Sequence, residues 1–132
     1  MSSIHVFWYR LTNGLIGGRV RGAPVLLLST VGRKSGNKRT TPLLYLEDGE
    51  NLVLVASNGG RDRNPAWFTN LKHNHVVEVQ VRGERRKMRA GQAMPEEMGR
   101  LWPLVTGMYR QYGDYQRKTK REIPVVILRP AV

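Results

Sequence analysis

Apolar residues occur along this chain in short runs that turn residues separate, a pattern typical of a small β-rich domain. Most runs are continuous, which indicates buried strands, whereas "VVEVQV" alternates strictly between apolar and polar positions. Turn signals such as "KSGN" and "DGEN" join neighbouring runs as hairpins, and Pro42 indicates an edge strand or a bulge. The predicted strands cover residues 23–31, 39–48, 52–57, 76–81, 86–93 and 123–130.

Two segments show the spacing or the end signals of single helices. Residues 4–16 place apolar side chains three and four positions apart and are followed by a glycine pair. We expect this helix to pack on the domain, with contact to a membrane surface as the alternative. Residues 65–74 are predicted to form a second helix, with Asn64 as its N-cap and Pro65 at its first position.

A third helical segment begins at residue 94 and ends at residue 115, with a proline and two glutamates at its start. Pro103 is expected to break or kink it, so that a second helix carries the tyrosines. Short antiparallel hairpins interspersed with these helices predict a mainly β fold, a small barrel with peripheral helices. Residues 1–132 are expected to form one domain, with the N-terminal helix at residues 1–18 and the barrel at residues 23–132.

Charge and cysteine content restrict the classes of function. Twenty-two basic residues against ten acidic ones give a formal charge of +12, which indicates an anionic partner: nucleic acid, an anionic membrane or a small polyanionic ligand. With no cysteine, the chain has no disulfide, thiolate metal site or cysteine nucleophile, which fits a reducing compartment. No apolar run approaches the roughly 20 residues that span a bilayer, and the first residues lack a secretory signal. We expect a soluble or peripheral protein.

The segment "GRKSGNKRTT" is a basic turn in which four cations flank a glycine-containing loop. It lacks the spacing of a nucleotide-binding P-loop, and a strand follows it where a P-loop has a helix. Backbone N–H groups at such a turn, beside Arg33 and Lys34, can hold a phosphate or a carboxylate. The segment alone leaves two interpretations open, a solvated hairpin tip and an anion site.

A second candidate is "ASNGGRDRNPAWF", in which a glycine pair precedes a helix start. Gly59 and Gly60 permit close approach of the backbone to a ligand, and the first N–H groups of the helix favour an anion. Trp67 can stack on a flat ring, although a tryptophan in this position is more often a core residue.

Tyr109, Tyr112 and Tyr115 recur at steps of three and are expected to share one helical face if Gly113 is tolerated in the helix. They form either ordinary half-buried packing or the wall of an apolar pocket whose hydroxyl groups can donate hydrogen bonds. His73 and His75 lack a third ligand, so a surface pair is the better interpretation and no metal site is expected.

The segments "LLLSTVGRKSGNKRTTPLLYL", "LVLVASNGGRDRNPAWFTNLKHN" and "VEVQVRGERRKMRA", together with the late tyrosines, resemble the deazaflavin-dependent nitroreductase and quinone reductase family. Members are found largely in actinobacteria and use coenzyme F420. The resemblance covers residues 23–130 and keeps the motifs in one order. It implies a split β-barrel of the FMN-binding, pyridoxamine-phosphate-oxidase-like type, with the deazaflavin in a groove and its anionic tail on a basic surface.

The resemblance also implies site residues. The phosphate and tail are assigned to Arg33, Lys34, Ser35 and Arg39. The remaining cofactor contacts are assigned to Thr41, Pro42, Ala56, Ser57, Asn58, Gly59, Pro65, Ala66, Trp67 and Asn70. The substrate pocket is assigned to Tyr45, Ser57, Tyr109, Tyr112 and Tyr115. The glycine loop departs from the family in having no lysine, so Arg61 or Arg63 is expected to replace one tail contact.

The implied reaction is hydride transfer from reduced F420 to a menaquinone-like quinone or to a nitroaromatic acceptor. Tyr112 or Ser57 would stabilise the charge that develops on the acceptor. The alternatives are a non-catalytic module that binds F420 or a fatty acid and, less favoured, an FMN-dependent reductase. Nucleic acid is not expected, because no standard nucleic-acid motif is present. We expect a cytoplasmic protein, and peripheral contact with the inner face of the cell membrane is left open.

Overall fold

The computed structural model describes residues 19–20 and 23–131, so the predicted helix at residues 4–16 lies outside the described residues. Eight strands and three α-helices are found in this part of the chain. The strands are β1 (Arg19–Val20), β2 (Ala23–Val31), β3 (Lys38–Leu44), β4 (Leu46–Asp48), β5 (Asn51–Val55), β6 (Val76–Val81), β7 (Glu84–Gln92) and β8 (Val125–Pro130). The helices are α1 (Ala66–His73), α2 (Pro95–Met108) and α3 (Gln111–Lys118), and a 3₁₀ turn spans Asn58–Gly60.

All strand pairs are antiparallel, and the strands follow the order β1-β2-β6-β7-β8-β5-β4. β3 pairs with β2 on the edge opposite β6, since Leu28 is opposite both Thr41 and Val79. β3 and β4 therefore lie at opposite ends of the sheet, yet only Tyr45 separates them in the chain. The sheet must curl to bring its ends together, which makes it the predicted split barrel of the pyridoxamine-phosphate-oxidase-like type. β3 pairs with β2 alone, as Pro42 predicted for an edge strand.

The continuous apolar runs of β5 and β8 follow from burial on both faces of these strands. Leu52, Leu54, Val126 and Leu128 point into the barrel, where side chains from the other strands and from α1 complete the core. The intervening residues point outward beneath α2 and α3, and they include Val53, Val55, Val125 and Ile127. Two-sided burial removes the polar alternation that a half-exposed strand would show.

The predicted strand at residues 39–48 is interrupted at Tyr45, where the chain changes partner from β2 to β5. The Tyr45 N–H donates to the carbonyl of Pro24 at 3.1 Å, and its ring lies in the barrel core with 3% exposed. The side-chain pattern did not indicate this interruption, because apolar residues continue through it.

Two helix predictions also require correction. Asn64 does not cap α1: Pro65 occupies the N-cap position, and the Asn64 side chain accepts a hydrogen bond from Arg121 instead. Pro103 does not break α2, which continues to Met108 and ends at the extended residue Tyr109. Burial of Leu101 and Val105, both 0% exposed, favours the continuous helix despite the hydrogen bond that a proline removes.

Candidate functional site

A basic cleft of about 490 Å³ lies between the β2–β3 turn and the start of α1. Its lining contains four cations and no acidic side chain. Lys38 pairs with Glu78 at 3.1 Å, whereas no salt bridge of the described residues involves Arg33, Lys34 or Arg39. The lining residues are Thr30, Gly32, Arg33, Lys34, Ser35, Lys38, Arg39, Thr40, Thr41, Ala66, Trp67 and Asn70. Unpaired cations without competing acids are suited to binding a polyanion.

Asn70 fixes the basic turn against α1. Its side-chain amide donates to the Thr30 hydroxyl at 3.2 Å, and its carbonyl oxygen accepts from the Arg33 N–H at 3.3 Å. The side chain is 6% exposed, so both of these polar groups are satisfied within the protein. Asn70 lines the cleft as predicted, but its hydrogen bonds hold the β2–β3 turn in place.

A second cleft, of about 760 Å³, lies between the loop after β5 and the residues around the start of α3. We call it the tyrosine cleft because Tyr109, Tyr112 and Tyr115 all line it. The ring centroids of Tyr109 and Tyr112 are 4.9 Å apart, and those of Tyr112 and Tyr115 are 6.5 Å apart. The other lining residues are Thr41, Pro42, Leu43, Leu44, Val55, Ser57, Asn58, Gly59, Arg61, Pro65, Trp67 and Lys118.

Tyr112 is the most buried tyrosine of this cleft, with 5% exposed. Burial raises the pKa of its hydroxyl above the usual value, and Tyr109 and Tyr115 add to the rise. Within the described part of the chain, no hydrogen bond to this hydroxyl is found. A hydroxyl that keeps its proton and has no partner is available to donate a hydrogen bond to a ligand in the cleft.

The two clefts form one groove around the start of α1. Thr41 and Trp67 line both of them. A further cavity of about 550 Å³ joins them on the other side, since it shares Arg33 with the basic cleft and Asn58 with the tyrosine cleft. Trp67 is 7% exposed and belongs to the barrel core, so the core interpretation of this residue is confirmed, whereas its stacking on a flat ring stays a prediction.

Most of the predicted site residues meet in this groove, but Tyr45 and Ala56 do not line it. Tyr45 is 3% exposed within the barrel core, and Ala56 is fully buried in the same core. These positions favour a packing role for both side chains over contact with substrate or cofactor. His73 and His75 are exposed and lie outside the clefts. The His73 Nδ1 atom is 3.1 Å from the carbonyl of Thr69.

The sequence prediction missed three residues that line the groove or hold the loop after β5. Lys38 lines the basic cleft and belongs to the same cationic turn as the predicted residues, so composition could have included it. Lys118 lines the tyrosine cleft, with its Nζ atom 6.0 Å from the Tyr115 ring centroid, and its spacing of three from Tyr115 is a local signal. Arg121 holds the loop after β5 through contacts to residues at least 57 positions away. No local pattern indicates such a contact.

The groove matches the chemistry of the deazaflavin coenzyme that the resemblance implies. Its basic end offers cations for a phosphate and a chain of carboxylates. Its other end offers aromatic rings, Pro42, Leu43 and Leu44 for a flat ring system and an acceptor. The donor set of the groove therefore fits F420.

Comparisons with known proteins agree with this fit. A family model described as F420H(2)-dependent quinone reductase matches residues 1–130. An F420H(2)-dependent quinone reductase of Mycobacterium tuberculosis (strain H37Rv) is 44% identical over 129 residues, which cover 95% of this chain and 87% of the relative. A solved F420-H2 dependent reductase superimposes with a TM-score of 0.73 at 39% identity, covering 80% of this chain and 93% of that one.

More distant similarity supports the fold alone. A Listeria innocua protein named as a candidate pyridoxamine 5'-phosphate oxidase has a TM-score of 0.58 at 14% identity, over 82% of this chain and 84% of that one. In the described part of the chain, none of the helices has the length and apolar character needed to cross a bilayer.

Proposed function

Because the chain belongs to the F420H(2)-dependent quinone reductase family, we propose that the groove around the start of α1 is where it binds F420 and reduces its acceptor. The chain is an oxidoreductase, and coenzyme F420 is its cofactor. The observation that supports the location is the continuity of the two clefts through Thr41 and Trp67. A molecule with a polyanionic tail and a flat ring can occupy both ends at once.

Arg33, Lys34 and Arg39 bind the phosphate and the carboxylates of the tail in this proposal. Their side chains are exposed at the basic cleft and have no acidic partner in the described structure. Ser35 adds a hydroxyl, although its oxygen already accepts a hydrogen bond from the Asn37 N–H at 3.1 Å. Arg63 lies on the joining cavity and takes the tail contact for which the glycine loop has no lysine. Arginine and lysine differ here, since only arginine binds a carboxylate with two parallel hydrogen bonds.

The acceptor lies against the tyrosines and Ser57 in the second cleft. Reduced F420 supplies a hydride when it is bound, and a quinone needs one hydride and one proton to become a hydroquinone. The quinone oxygen gains negative charge before it is protonated, so a hydrogen-bond donor beside it lowers the barrier. Tyr112 provides this donor, with the hydroxyl of Ser57 as the second. Because its pKa is raised, Tyr112 stabilises the charge and retains its own proton, and solvent in the open cleft supplies the proton that is consumed.

Nitroaromatic compounds form the second acceptor class of the proposal, because nitro oxygens also gain negative charge on reduction. The predicted peripheral contact with the membrane depends on residues 4–16, which lie outside the described residues, and it stays a prediction. The following experiment tests the proposed acceptor and the role of Tyr112.

The test compares reoxidation of reduced F420 by menadione, without oxygen, in the presence of wild-type protein and of Tyr112→Phe. Wild type is expected to accelerate the reaction, and Tyr112→Phe to lower kcat by about 100-fold, the usual cost of removing one such donor. The dissociation constant for F420 is expected to stay within about twofold, because the tail contacts are unchanged. Tight F420 binding by wild type without reduction of any quinone or nitroaromatic compound would contradict the proposed acceptors. Equal kcat for the two proteins would remove Tyr112 from the mechanism.

A further inference from the structure

Arg121 holds the loop that follows β5. Its Nε donates to the Arg61 carbonyl at 2.9 Å, and its Nη2 donates to the Ser57 carbonyl at 2.8 Å. Its Nη1 donates to the Asn64 side-chain oxygen at 2.8 Å, and both terminal nitrogens lie 3.4 Å from the Ala56 carbonyl. One side chain thus reaches four acceptors in the segment from Ala56 to Asn64.

The held loop contains a run of backbone conformations that need external support. Asn58, Gly59 and Gly60 have φ angles of 49°, 65° and 82°. Glycine adopts positive φ without steric cost but is conformationally permissive, so two adjacent glycines do not by themselves hold one conformation. At Asn58 the left-handed conformation carries some cost, although asparagine tolerates it better than most residues. Such a segment keeps one conformation only where surrounding contacts determine it, and Arg121 supplies four of them.

The orientation of the peptide groups connects this support to the groove. No cis peptide occurs in the described part of the chain, so the N–H of Ser57 points opposite to the Ala56 carbonyl, and the N–H of Asn58 opposite to the Ser57 carbonyl. Arg121 binds these two carbonyls and does not line the tyrosine cleft, whereas Ser57 and Asn58 do line it. By fixing the carbonyls, the guanidinium also determines which groups of Ser57 and Asn58 face the cleft.

We propose that Arg121 is a positioning residue of this enzyme, which acts through Ser57 and Asn58 by binding the carbonyl groups behind them. The expected effect of Arg121 on turnover rests on the proposed function of the groove, whereas its effect on the loop conformation does not. Nothing in this role requires Arg121 to touch the cofactor or the acceptor.

The anchoring of Arg121 itself is consistent with such a role. The Gln116 side chain donates to the Arg121 carbonyl at 2.7 Å and accepts from the Ile123 N–H at 2.9 Å, which fixes the segment that carries the guanidinium. Asp62, whose carboxylate accepts from the Thr119 hydroxyl at 3.0 Å, ties the same segment to the loop a second time. Burial lowers the pKa of Arg121 from its usual value and Asp62 opposes this, but an arginine remains charged at neutral pH.

Arg121→Lys is the sharpest variant, because it retains the charge and most of the length. An ammonium cannot reproduce the planar fork that serves four separated acceptors. Arg117→Lys is the matched control: Arg117 is exposed on α3 and pairs with Asp114, outside both clefts. In the protein without ligand, backbone amide NMR shifts and hydrogen exchange of residues 56–61 are expected to change in Arg121→Lys and to stay unchanged in Arg117→Lys. Unchanged amides in Arg121→Lys would overturn the proposal, whether or not any acceptor is reduced.

Kinetics test the consequence for the reaction. Arg121→Lys is expected to lower kcat for menadione by about 10- to 100-fold, as expected when a reacting group is misplaced by about 1 Å. The dissociation constant for F420 is expected to change by less than about threefold, because the basic cleft is not in contact with Arg121. A residue needed only for folding would instead lower the amount of F420-binding protein and leave kcat per bound F420 unchanged, and that result would overturn the proposal.

A second variant shows that the guanidinium itself is required. Arg121→Ala removes the side chain, and added ethylguanidinium at millimolar concentration is expected to restore at least part of kcat. Ethylammonium, which has the charge without the planar fork, is expected to restore none. Equal effects of the two cations, or no rescue by either, would count against the positioning role. If wild type fails to reduce any acceptor, the proposed function fails, while the amide measurements still decide the effect of Arg121 on the loop.

Discussion

The raised pKa of Tyr112 is expected to lower the free energy of unfolding at alkaline pH. Burial raises its pKa in the folded state, whereas in the unfolded chain it ionises near the usual value of 10.0. Above about pH 10 the unfolded state has lost a proton that the folded state still holds, so the free energy of unfolding falls as the pH rises. Below that pH both states hold the proton, and the group has no effect.

Urea denaturation of wild type and Tyr112→Phe between about pH 8 and pH 11 measures this contribution. Wild type is expected to lose up to about 1.4 kcal/mol per pH unit more than the variant above pH 10, the value for one proton. Other groups that titrate in this range are common to both proteins and cancel in the difference. Parallel pH profiles would show that the Tyr112 pKa is not raised by folding.

Single residues also show which parts of the site the sequence could predict and which it could not. Tyr112 was identified because three tyrosines recur at steps of three. The predicted single helical face is wrong for Tyr109, which is extended between α2 and α3, although all three tyrosines line the tyrosine cleft. Tyr45 was assigned to substrate but lies in the core, because the chain changes strand partner there and simple alternation no longer indicates the face. Asn70 and Arg121 make contacts 37 to 65 positions away in the chain. One sequence contains no signal for such pairs.

At the scale of elements, the docking of the 3₁₀ turn on α3 depends on the absence of a side chain at Gly60. A Cβ atom there would lie 3.0 Å from both the Cα and the carbonyl oxygen of Tyr115, which are backbone atoms and cannot rotate away. Gly59 has a similar left-handed φ, but a Cβ atom there would enter open space. An alanine at position 59 therefore measures only the conformational cost, whereas an alanine at position 60 adds the packing cost.

Gly59→Ala is expected to destabilise the protein by about 1 kcal/mol, the cost of left-handed backbone for a residue with a Cβ atom. Gly60→Ala is expected to cost a further 1 to 3 kcal/mol or so, because α3 must shift to admit the methyl group. Chemical denaturation measures both values. Equal losses for the two variants would mean that the turn and α3 separate at little cost.

The elements themselves were predicted best where local pattern and environment agree. The strands at residues 23–31 and 76–81 have the predicted bounds, since turn residues or polar positions delimit them on both sides. The interruption at Tyr45 and the continuation of α2 through Pro103 were missed. In both cases tertiary packing outweighs the local signal, through a change of strand partner in one and burial of Leu101 and Val105 in the other. Local pattern cannot report either effect.

For the whole molecule, the charge of +12 predicted an anionic partner but not where it binds. Folding distributes the cations over at least two surfaces. Arg33, Lys34 and Arg39 come together at the basic cleft, and Arg85 and Lys87 lie exposed on β7. Only the first group adjoins aromatic residues that can receive a flat ring. The binding surface thus follows from the combination of charge with a ring site, which the fold creates.

Two double variants with the same change in net charge test this assignment. Arg33→Gln with Lys34→Gln is expected to weaken F420 binding by about tenfold or more, because two charge-assisted contacts to the tail are lost. Arg85→Gln with Lys87→Gln removes the same charge from β7 and is expected to change the dissociation constant by less than about twofold, because neither side chain lines the basic cleft or the tyrosine cleft. Neither double variant is expected to alter the folded far-UV circular dichroism, because these exposed side chains have no acidic partner in the described structure.

The tail itself provides the last control. Wild type is expected to bind the complete coenzyme more tightly than the same deazaflavin without phosphate and glutamates, and this difference is expected to shrink as salt concentration rises. In Arg33→Gln with Lys34→Gln the difference should largely disappear, because the variant retains the ring site and loses the tail site. Isothermal titration at low and at high salt measures all of these dissociation constants. Equal weakening by the two double variants would show that the overall positive field, and not the cleft beside α1, attracts the coenzyme.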